Sequence, residues 1–220
     1  MKKLIILLSV FSIAFSAEAQ DARTAIKGGV NIATFNGPDE IDYKYSVLPH
    51  IGVSFLVPLS NEFFFRPEAL ISGKGGKEDY GSIEAISRMY YLEVPAYLSY
   101  HAKLNTGSIV LDLGPSLGFG LFGNYEINGS GSEAEGDIVF YNEINEKNIE
   151  NLEEDDFVAK FFDFGINFGI GYMVNDFMVN FNYCHGISNT SPNVDLPGVD
   201  VSIPEVNNRG FRISLSYFIN

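Results

Sequence analysis

The chain offers few residues for catalysis. Its only candidate imidazole bases are His50, His101 and His185. A histidine activates a nucleophile when a serine or a carboxylate lies beside it, and the available partners are Ser54, Ser99 and Asp112. Their spacing matches no nucleophile motif and defines no acid–histidine–serine arrangement. The sequence therefore predicts a protein that is not an enzyme, with no catalytic residue and no cofactor.

Charged residues recur on one face of several alternating segments: Lys27, Arg66, Glu68, Glu93, Asp112, Asp163 and Arg212. If these faces line a narrow barrel, the charges are removed from water and must pair with one another. We expect a polar network of ion pairs and hydrogen bonds that fills the lumen. The alternative is a polar pore or a proton path, since membrane-embedded ionisable groups are candidates for function. A barrel of eight strands leaves little room for such a path.

Residues 125–156 hold 11 acidic side chains and one basic side chain, Lys147. A weak cation contact is one hypothesis, and its candidate ligands are Glu150, Glu153, Glu154, Asp155 and Asp156. The D-x-D-x-D-G spacing of a preorganised calcium loop is missing, and charge runs are usually solvated. We therefore predict no specific metal site and expect a long acidic loop, in which residues 138–141 could form a short strand.

Composition excludes several classes of protein. The 220 residues are 46% hydrophobic and only 19% charged, which predicts one domain with fewer charges than a typical soluble protein. The net charge of −14 would repel nucleic acid, whose binding depends on Lys and Arg contacts. Cys184 is the only cysteine, so intrachain disulfides and structural zinc sites rich in cysteine are excluded.

The N-terminal residues have the pattern of an export signal. Two lysines precede an apolar stretch, residues 4–15, and Ala17-Glu18-Ala19 gives the small-x-small cleavage pattern. We predict a signal peptide over residues 1–19 and a barrel domain over residues 20–220. The apolar stretch is too short for the alternative, a retained membrane helix, and no later apolar run reaches the roughly 18 residues that such a helix needs.

The rest of the chain alternates bulky apolar residues with glycine, serine, asparagine or charges. This period of two predicts strands. The eight predicted strands cover residues 24–35, 45–59, 63–74, 89–103, 108–124, 157–174, 176–187 and 209–219. Proline residues fall inside these strands, among them Pro49, Pro67, Pro95 and Pro115. They argue mildly against the prediction because proline cannot donate to a β-ladder.

The connections between predicted strands alternate in length. Residues 60–62, 105–106 and 175–176 form short turns, whereas residues 36–44, 75–88, 125–156 and 188–208 form long links. Short turns at one rim and long loops at the other are typical of outer-membrane barrels. Three pairs across the short turns would then be apolar on both sides: Leu59 with Phe63, Tyr100 with Leu111, and Val174 with Phe177.

The face made of small polar residues fits the interior of a narrow barrel, and the continuous apolar face fits contact with lipid. A soluble lipocalin-like barrel would place that apolar face inside, and the polar face contains too few charges to serve as its surface. In lipid only a closed barrel satisfies the backbone of every strand. The predicted fold is therefore all-β: an eight-stranded antiparallel up-and-down transmembrane β-barrel with short periplasmic turns, both termini periplasmic, and long extracellular loops.

Four motifs in order carry a resemblance to a known family: Lys27-Gly28-Gly29-Val30-Asn31, Phe65-Arg66-Pro67-Glu68, Tyr91-Leu92-Glu93-Val94-Pro95 and Leu113-Gly114-Pro115. With these motifs the chain resembles the outer-membrane β-barrel domain of Bacteroidota, of the porin family or PorT-like group. That family carries prolines at these places and usually ends on an aromatic residue, whereas this chain ends Tyr217-Phe218-Ile219-Asn220. The resemblance implies insertion by the barrel-assembly machinery into the bacterial outer membrane.

We expect a non-enzymatic outer-membrane barrel with a structural role or a binding role mediated by its loops. Its expected partners are outer-membrane lipid, the assembly machinery and an envelope protein, with no nucleic acid among them. One alternative, implied by the PorT-like resemblance, is an accessory component of a secretion or envelope system. A second alternative is a small-solute, porin-like channel.

Overall fold

The computed structural model describes residues 22–129, 132–198 and 203–219, and the predicted signal peptide lies outside them. Within these ranges the elements are, in chain order, β1 (Arg23–Asn36), β2 (Asp42–Lys44), β3 (Ser46–Pro58), β4 (Phe63–Asp79), β5 (Ile83–Leu104), β6 (Gly107–Gly129), β7 (Ser132–Phe140), β8 (Glu143–Asn145), α1 (Glu146–Ile149), β9 (Phe157–Ala159), β10 (Phe162–Val174), β11 (Phe177–Gly186), β12 (Asn193–Asp195) and β13 (Asn207–Ile219). None of the described helical structure is long and apolar enough to cross a membrane.

Eight of the strands have ten or more residues, the length that a tilted strand needs to cross a bilayer: β1, β3, β4, β5, β6, β10, β11 and β13. Each pairs in antiparallel fashion with the next in this order, from β1 with β3 to β11 with β13. β13 then pairs with β1. The pairing therefore returns to the strand where it began.

Burial alternates along each long strand, as the period of two requires. In β1, Lys27 is buried while the preceding Ile26 is 54% exposed. The predicted register is confirmed at two turns, where Tyr100 pairs with Leu111 and Val174 pairs with Phe177. The strands thus present an apolar outer surface and enclose their polar side chains.

The connections at the opposite rim differ from the sequence prediction. Residues 75–88 are not a long loop, because β4 continues to Asp79 and β5 begins at Ile83. Residues 36–44 contain β2, which pairs with the end of β4. Residues 75–79, the end of β4, contain only glycine and charged residues, so they lack the alternation that marks a half-buried strand. The barrel wall therefore continues beyond its apolar band as a β-hairpin formed by β4 and β5.

The acidic segment is also more structured than predicted. β6 continues to Gly129 and pairs with β7, so residues 125–129 are strand rather than loop. The suggested strand at residues 138–141 is confirmed for its first three residues, which belong to β7 and pair in parallel with β9. Ile138 is only 2% exposed. Residues 138–140 therefore pack onto the barrel, whereas Glu150, Glu153, Glu154 and Asp155 are exposed.

Candidate functional site

The interior of the barrel contains two charged clusters. The lower cluster lies nearer the short turns and consists of Lys27, Arg66, Glu68, Ser99, Asp112 and Asn180. The upper cluster consists of Asn31, Ser72, Lys74, Glu93, Asp163, Ser188, Asn208 and Arg212. Both clusters form because residues two apart on a strand share a face, and every long strand directs that face inward.

The ion pairs of the lower cluster connect three strands. The Lys27 ammonium donates to both carboxylate oxygens of Glu68 at 2.8 Å. The Arg66 guanidinium donates at 2.5 Å to Glu68 through Nη1 and at 2.5 Å to Asp112 through Nη2. All four side chains are inaccessible to solvent. One arginine therefore links two carboxylates across the lumen, a geometry that its forked guanidinium favours.

Neutral groups complete the lower cluster. Ser99 Oγ and Asn180 Nδ2 donate to the Asp112 carboxylate at 2.6 and 2.9 Å. The Tyr97 ring lies 4.6 Å from the centre of the Arg66 guanidinium, within the range of a cation–π contact. These contacts satisfy Asp112 from three directions and hold Arg66 in place.

The upper cluster repeats this arrangement with different residues. Arg212 Nη2 donates to Glu93 Oε2 at 2.5 Å, and Arg212 Nε donates to Asn31 Oδ1 at 3.1 Å. Lys74 Nζ donates to Asp163 Oδ2 at 2.8 Å and lies 3.8 Å from Glu93 Oε1. Asp163 also accepts hydrogen bonds from the side chains of Ser188 and Asn208.

All seven charged residues proposed from the sequence face the interior, and each has a partner of opposite charge there. Lys74, the last residue of the predicted strand 63–74, lies on the same face as Arg66 and Glu68 but was not among the seven. With Lys74 included, each cluster contains two cations and two carboxylates. The formal charges cancel within each cluster, which limits the free-energy cost of keeping them away from water.

Apolar layers lie beyond the charged clusters at both ends, and sequence reasoning did not identify them. The layer near the short turns contains Ala25, Leu56, Val110, Met173, Met178 and Phe218. The layer at the other end contains Phe35, Met89, Tyr91, Ile138 and Ala159. These residues could have been recognised from the sequence, because they occupy inward-facing positions of the alternation. Val110, for example, lies two residues before Asp112 and shares its face. The interior thus has charge between two apolar layers.

The open space within the charged part is small. A cavity of about 40 Å³ lies beside the upper cluster, with Lys74, Asp163 and Arg212 among its lining residues. Because a water molecule needs roughly 10–15 Å³ of such volume, this cavity holds a few waters at most.

The histidines take no part in an acid–histidine–serine arrangement among the described residues. His50 Nε2 lies 3.0 Å from Ser214 Oγ, not beside Ser54, and His101 packs against the Phe64 ring. His185 is exposed. Ser99 donates to the Asp112 carboxylate within the lower cluster, and no histidine in the described ranges forms a hydrogen bond with either residue.

The acidic residues proposed as a cation contact lie along an exposed stretch. Glu150, Glu153, Glu154 and Asp155 are exposed, and Asp156 Oδ2 accepts a hydrogen bond from the Glu153 backbone at 2.9 Å. Within the described part of the chain, no group of three or more acidic, histidine or cysteine side chains could hold a metal ion. The weak cation contact stays a prediction.

Comparisons with known proteins address the family. The solved structure of Neisserial surface protein A has 11% identity to this chain and a TM-score of 0.48, and the match covers 90% of this chain and 99% of that one. Outer membrane protein W of E. coli has 13% identity and a TM-score of 0.46, with 90% and 98% covered. The Yersinia pestis attachment invasion locus protein Ail has 12% identity and a TM-score of 0.40, with 91% and 100% covered.

No curated protein sequence matches the chain significantly. A family model described as "Outer membrane protein beta-barrel domain" matches residues 18–191, which is more than three quarters of the chain. The chain therefore belongs to the outer membrane protein beta-barrel domain family, whose members are outer-membrane proteins.

Proposed function

We propose that this chain is a non-enzymatic, eight-stranded up-and-down barrel of the outer membrane whose lumen is sealed. Its role is structural, or is binding through the part of the barrel that extends outside the membrane. The observation that supports this proposal is the pair of charge-balanced clusters enclosed between two apolar layers. An ion or solute crossing the lumen would have to break these pairs, and unpaired buried charge is costly.

In the proposed orientation the short turns and both termini are periplasmic. The outward-facing apolar side chains support a membrane-embedded band that extends to about the level of Leu121 and Phe122. Phe122 stacks on Tyr90 there, as aromatic residues do at the membrane interface of a barrel. The long, charged extensions of β4, β5 and β6 then lie outside the cell. The signal peptide over residues 1–19 supplies the route to the envelope in this proposal.

The four motifs support placing the chain in the Bacteroidota porin-like or PorT-like group. An accessory role in a secretion or envelope system rests on that resemblance alone, so it stays the second proposal. The small-solute channel is less well supported because the cavity beside the upper cluster, at about 40 Å³, has room for only a few waters. The proposed partners are outer-membrane lipid, the assembly machinery and an envelope protein.

Swelling of proteoliposomes tests whether the lumen is sealed. Vesicles containing the folded protein should swell in a small sugar no faster than empty vesicles, while vesicles containing a general porin should swell rapidly. Faster swelling with this protein than with empty vesicles would refute the sealed lumen.

Crosslinking in intact outer membranes tests the binding role. The double variant Glu153→Gln/Glu154→Gln changes two exposed residues of the extension, and Glu62→Gln changes an exposed residue at a short turn. We expect crosslinked partners of the wild type to be lost in the double variant and kept in Glu62→Gln. The same partners recovered from all three proteins would show that this extension does not mediate the contact.

A further inference from the structure

An apolar cavity of about 550 Å³ lies within the extracellular extension, beyond the upper apolar layer. Its apolar lining includes Ala85, Met89, Ile127, Ile138, Leu152 and Val206. Cavities of roughly 300–1,000 Å³ with mostly apolar walls are typical of small-molecule binding sites. The cavity is separate from the charged clusters, and none of the residues in those clusters lines it.

Backbone pairing holds the walls of this cavity. The long β5–β6 hairpin forms one side, with Ala85 paired to Ile127. The parallel ladder of β7 and β9 forms another side, where Ile138 pairs with Phe157. The segment before β13 is fixed by Thr190, whose backbone N–H and hydroxyl both donate to the Val206 carbonyl, at 2.7 and 2.8 Å. Paired strands therefore form two sides of the pocket, and residues of the α1–β9 segment, among them Leu152 and Asp156, also line it.

Two carboxylates give the cavity its electrostatic character. Glu78 and Asp156 are the ionisable acidic residues that line it. Glu78 accepts a hydrogen bond from the Tyr80 hydroxyl at 2.6 Å, and Asp156 accepts one from the Glu153 backbone at 2.9 Å. Neither carboxylate forms a salt bridge among the described residues. The walls are apolar, and the two charges available to a ligand are negative.

We propose that this cavity binds a small amphiphile with an apolar body and a cationic, ammonium-type head. The apolar body would be removed from water by the side chains of the hairpin and of β7, and the head would lie against Glu78 and Asp156. An anionic analogue would face repulsion from both carboxylates and from the acidic segment around them, which has 11 acidic residues and one basic residue. This inference rests on the proposed extracellular binding role and specifies its ligand.

Calorimetry with three matched probes tests the proposal. The protein is placed in nanodiscs of zwitterionic lipid and titrated with 4-phenylbutylammonium, 4-phenylbutanol and 4-phenylbutanoate, with empty nanodiscs as the reference for partition into lipid. We expect saturable binding of the ammonium compound about fivefold tighter than that of the alcohol, the size of effect that partly exposed ion pairs give, and the weakest binding for the carboxylate. Equal affinities for the three probes, or no saturable binding, would overturn the proposal.

Variants locate the binding in the cavity. Ala85→Trp fills the pocket and should abolish ammonium binding, and the smaller Ala85→Leu should weaken it even if the tryptophan variant does not fold. Asn105→Trp adds a tryptophan at an exposed short turn, at the rim opposite the cavity, and should bind like the wild type. Asp156→Asn keeps a hydrogen-bond acceptor but should reduce the preference for ammonium over alcohol. Binding unchanged by both Ala85 variants would overturn the assignment to this cavity.

The two proposals fail in different ways. If the ammonium probe does not bind, while vesicle swelling stays absent and the crosslinked partners are still lost in the Glu153→Gln/Glu154→Gln variant, only the cavity inference is overturned. If the vesicles swell or the crosslinks do not depend on the extension, the proposed function itself is wrong, whatever the probe does.

Discussion

Arg66 is the residue whose removal should most clearly reveal how the lumen is stabilised. It is fully buried, and its guanidinium joins Glu68 to Asp112 at 2.5 Å each. Arg66→Met keeps much of the side-chain volume but removes the charge, which leaves the Asp112 carboxylate with only the neutral donors Ser99 and Asn180. Breaking a buried ion pair by removing one partner costs about 3–5 kcal/mol of unfolding free energy.

A second substitution separates the loss of the arginine from the loss of charge balance. Asp112→Asn alone leaves the lower cluster with two cations and one carboxylate, so it should also cost about 3–5 kcal/mol. In Arg66→Met/Asp112→Asn the formal charges of the cluster cancel again. We therefore expect the double variant to be more stable than either single variant, with a coupling free energy of about 3 kcal/mol or more.

Urea titration of the proteins folded into lipid vesicles measures these free energies. Arg88→Met is the matched control, because Arg88 pairs with Glu126 at the exposed extension and should cost much less. If the double variant loses the sum of the two single losses, the charges act independently and the lower cluster is not a balanced unit.

Three further outcomes follow from the structure. Ile166→Arg places a charge on the lipid-facing surface and should cost about 2–4 kcal/mol of unfolding free energy in the same titration. Ser216→Ala removes an inward hydroxyl that has no hydrogen-bond partner and should be nearly neutral. Equal losses of unfolding free energy would contradict the assigned inner and outer faces. A Cβ atom at Gly120 would lie 2.2 Å from a ring carbon of Phe140 in β7, so Gly120→Val should loosen β7 and speed its proteolysis. Gly28→Ala should not, because its Cβ atom would make an ordinary 3.7 Å contact. Equal proteolysis rates of the two variants would argue against this packing. A Glu-specific protease should cut residues 146–156 on whole cells, and cutting only after the outer membrane is opened would invert the proposed topology.

Period-two alternation was enough to predict the barrel class and the direction of each face. Lys27, Arg66 and Arg212 face inward as the alternation requires, because only one phase removes the apolar side chains from water. The upper hairpin was not predictable in this way. Around Gly75 and Gly76, which pair with Arg88 and Ser87, both faces are polar, so the strand carries no hydrophobic period.

The composition of the charged clusters was only partly predictable. Opposite charges on inward faces imply pairing, but the choice of partners depends on strand register and barrel geometry that one sequence does not specify. Lys74 was missed as a network member because it was the last residue of a predicted strand that in fact continues to Asp79. The apolar layers were missed because the sequence prediction considered only charged and small polar residues on the inward face, and left out inward apolar residues such as Val110 and Phe218.

Single-channel recording in planar lipid bilayers tests the sealed lumen most directly. The folded wild-type protein, with its urea transition confirmed in the same preparation, should give no discrete current steps above those of the bare bilayer at neutral pH. Arg66→Met/Asp112→Asn should also be silent, because both apolar layers and the whole upper cluster remain. Reproducible steps from the wild-type protein, scaling with salt concentration, would show an open path through the barrel and contradict the sealed lumen.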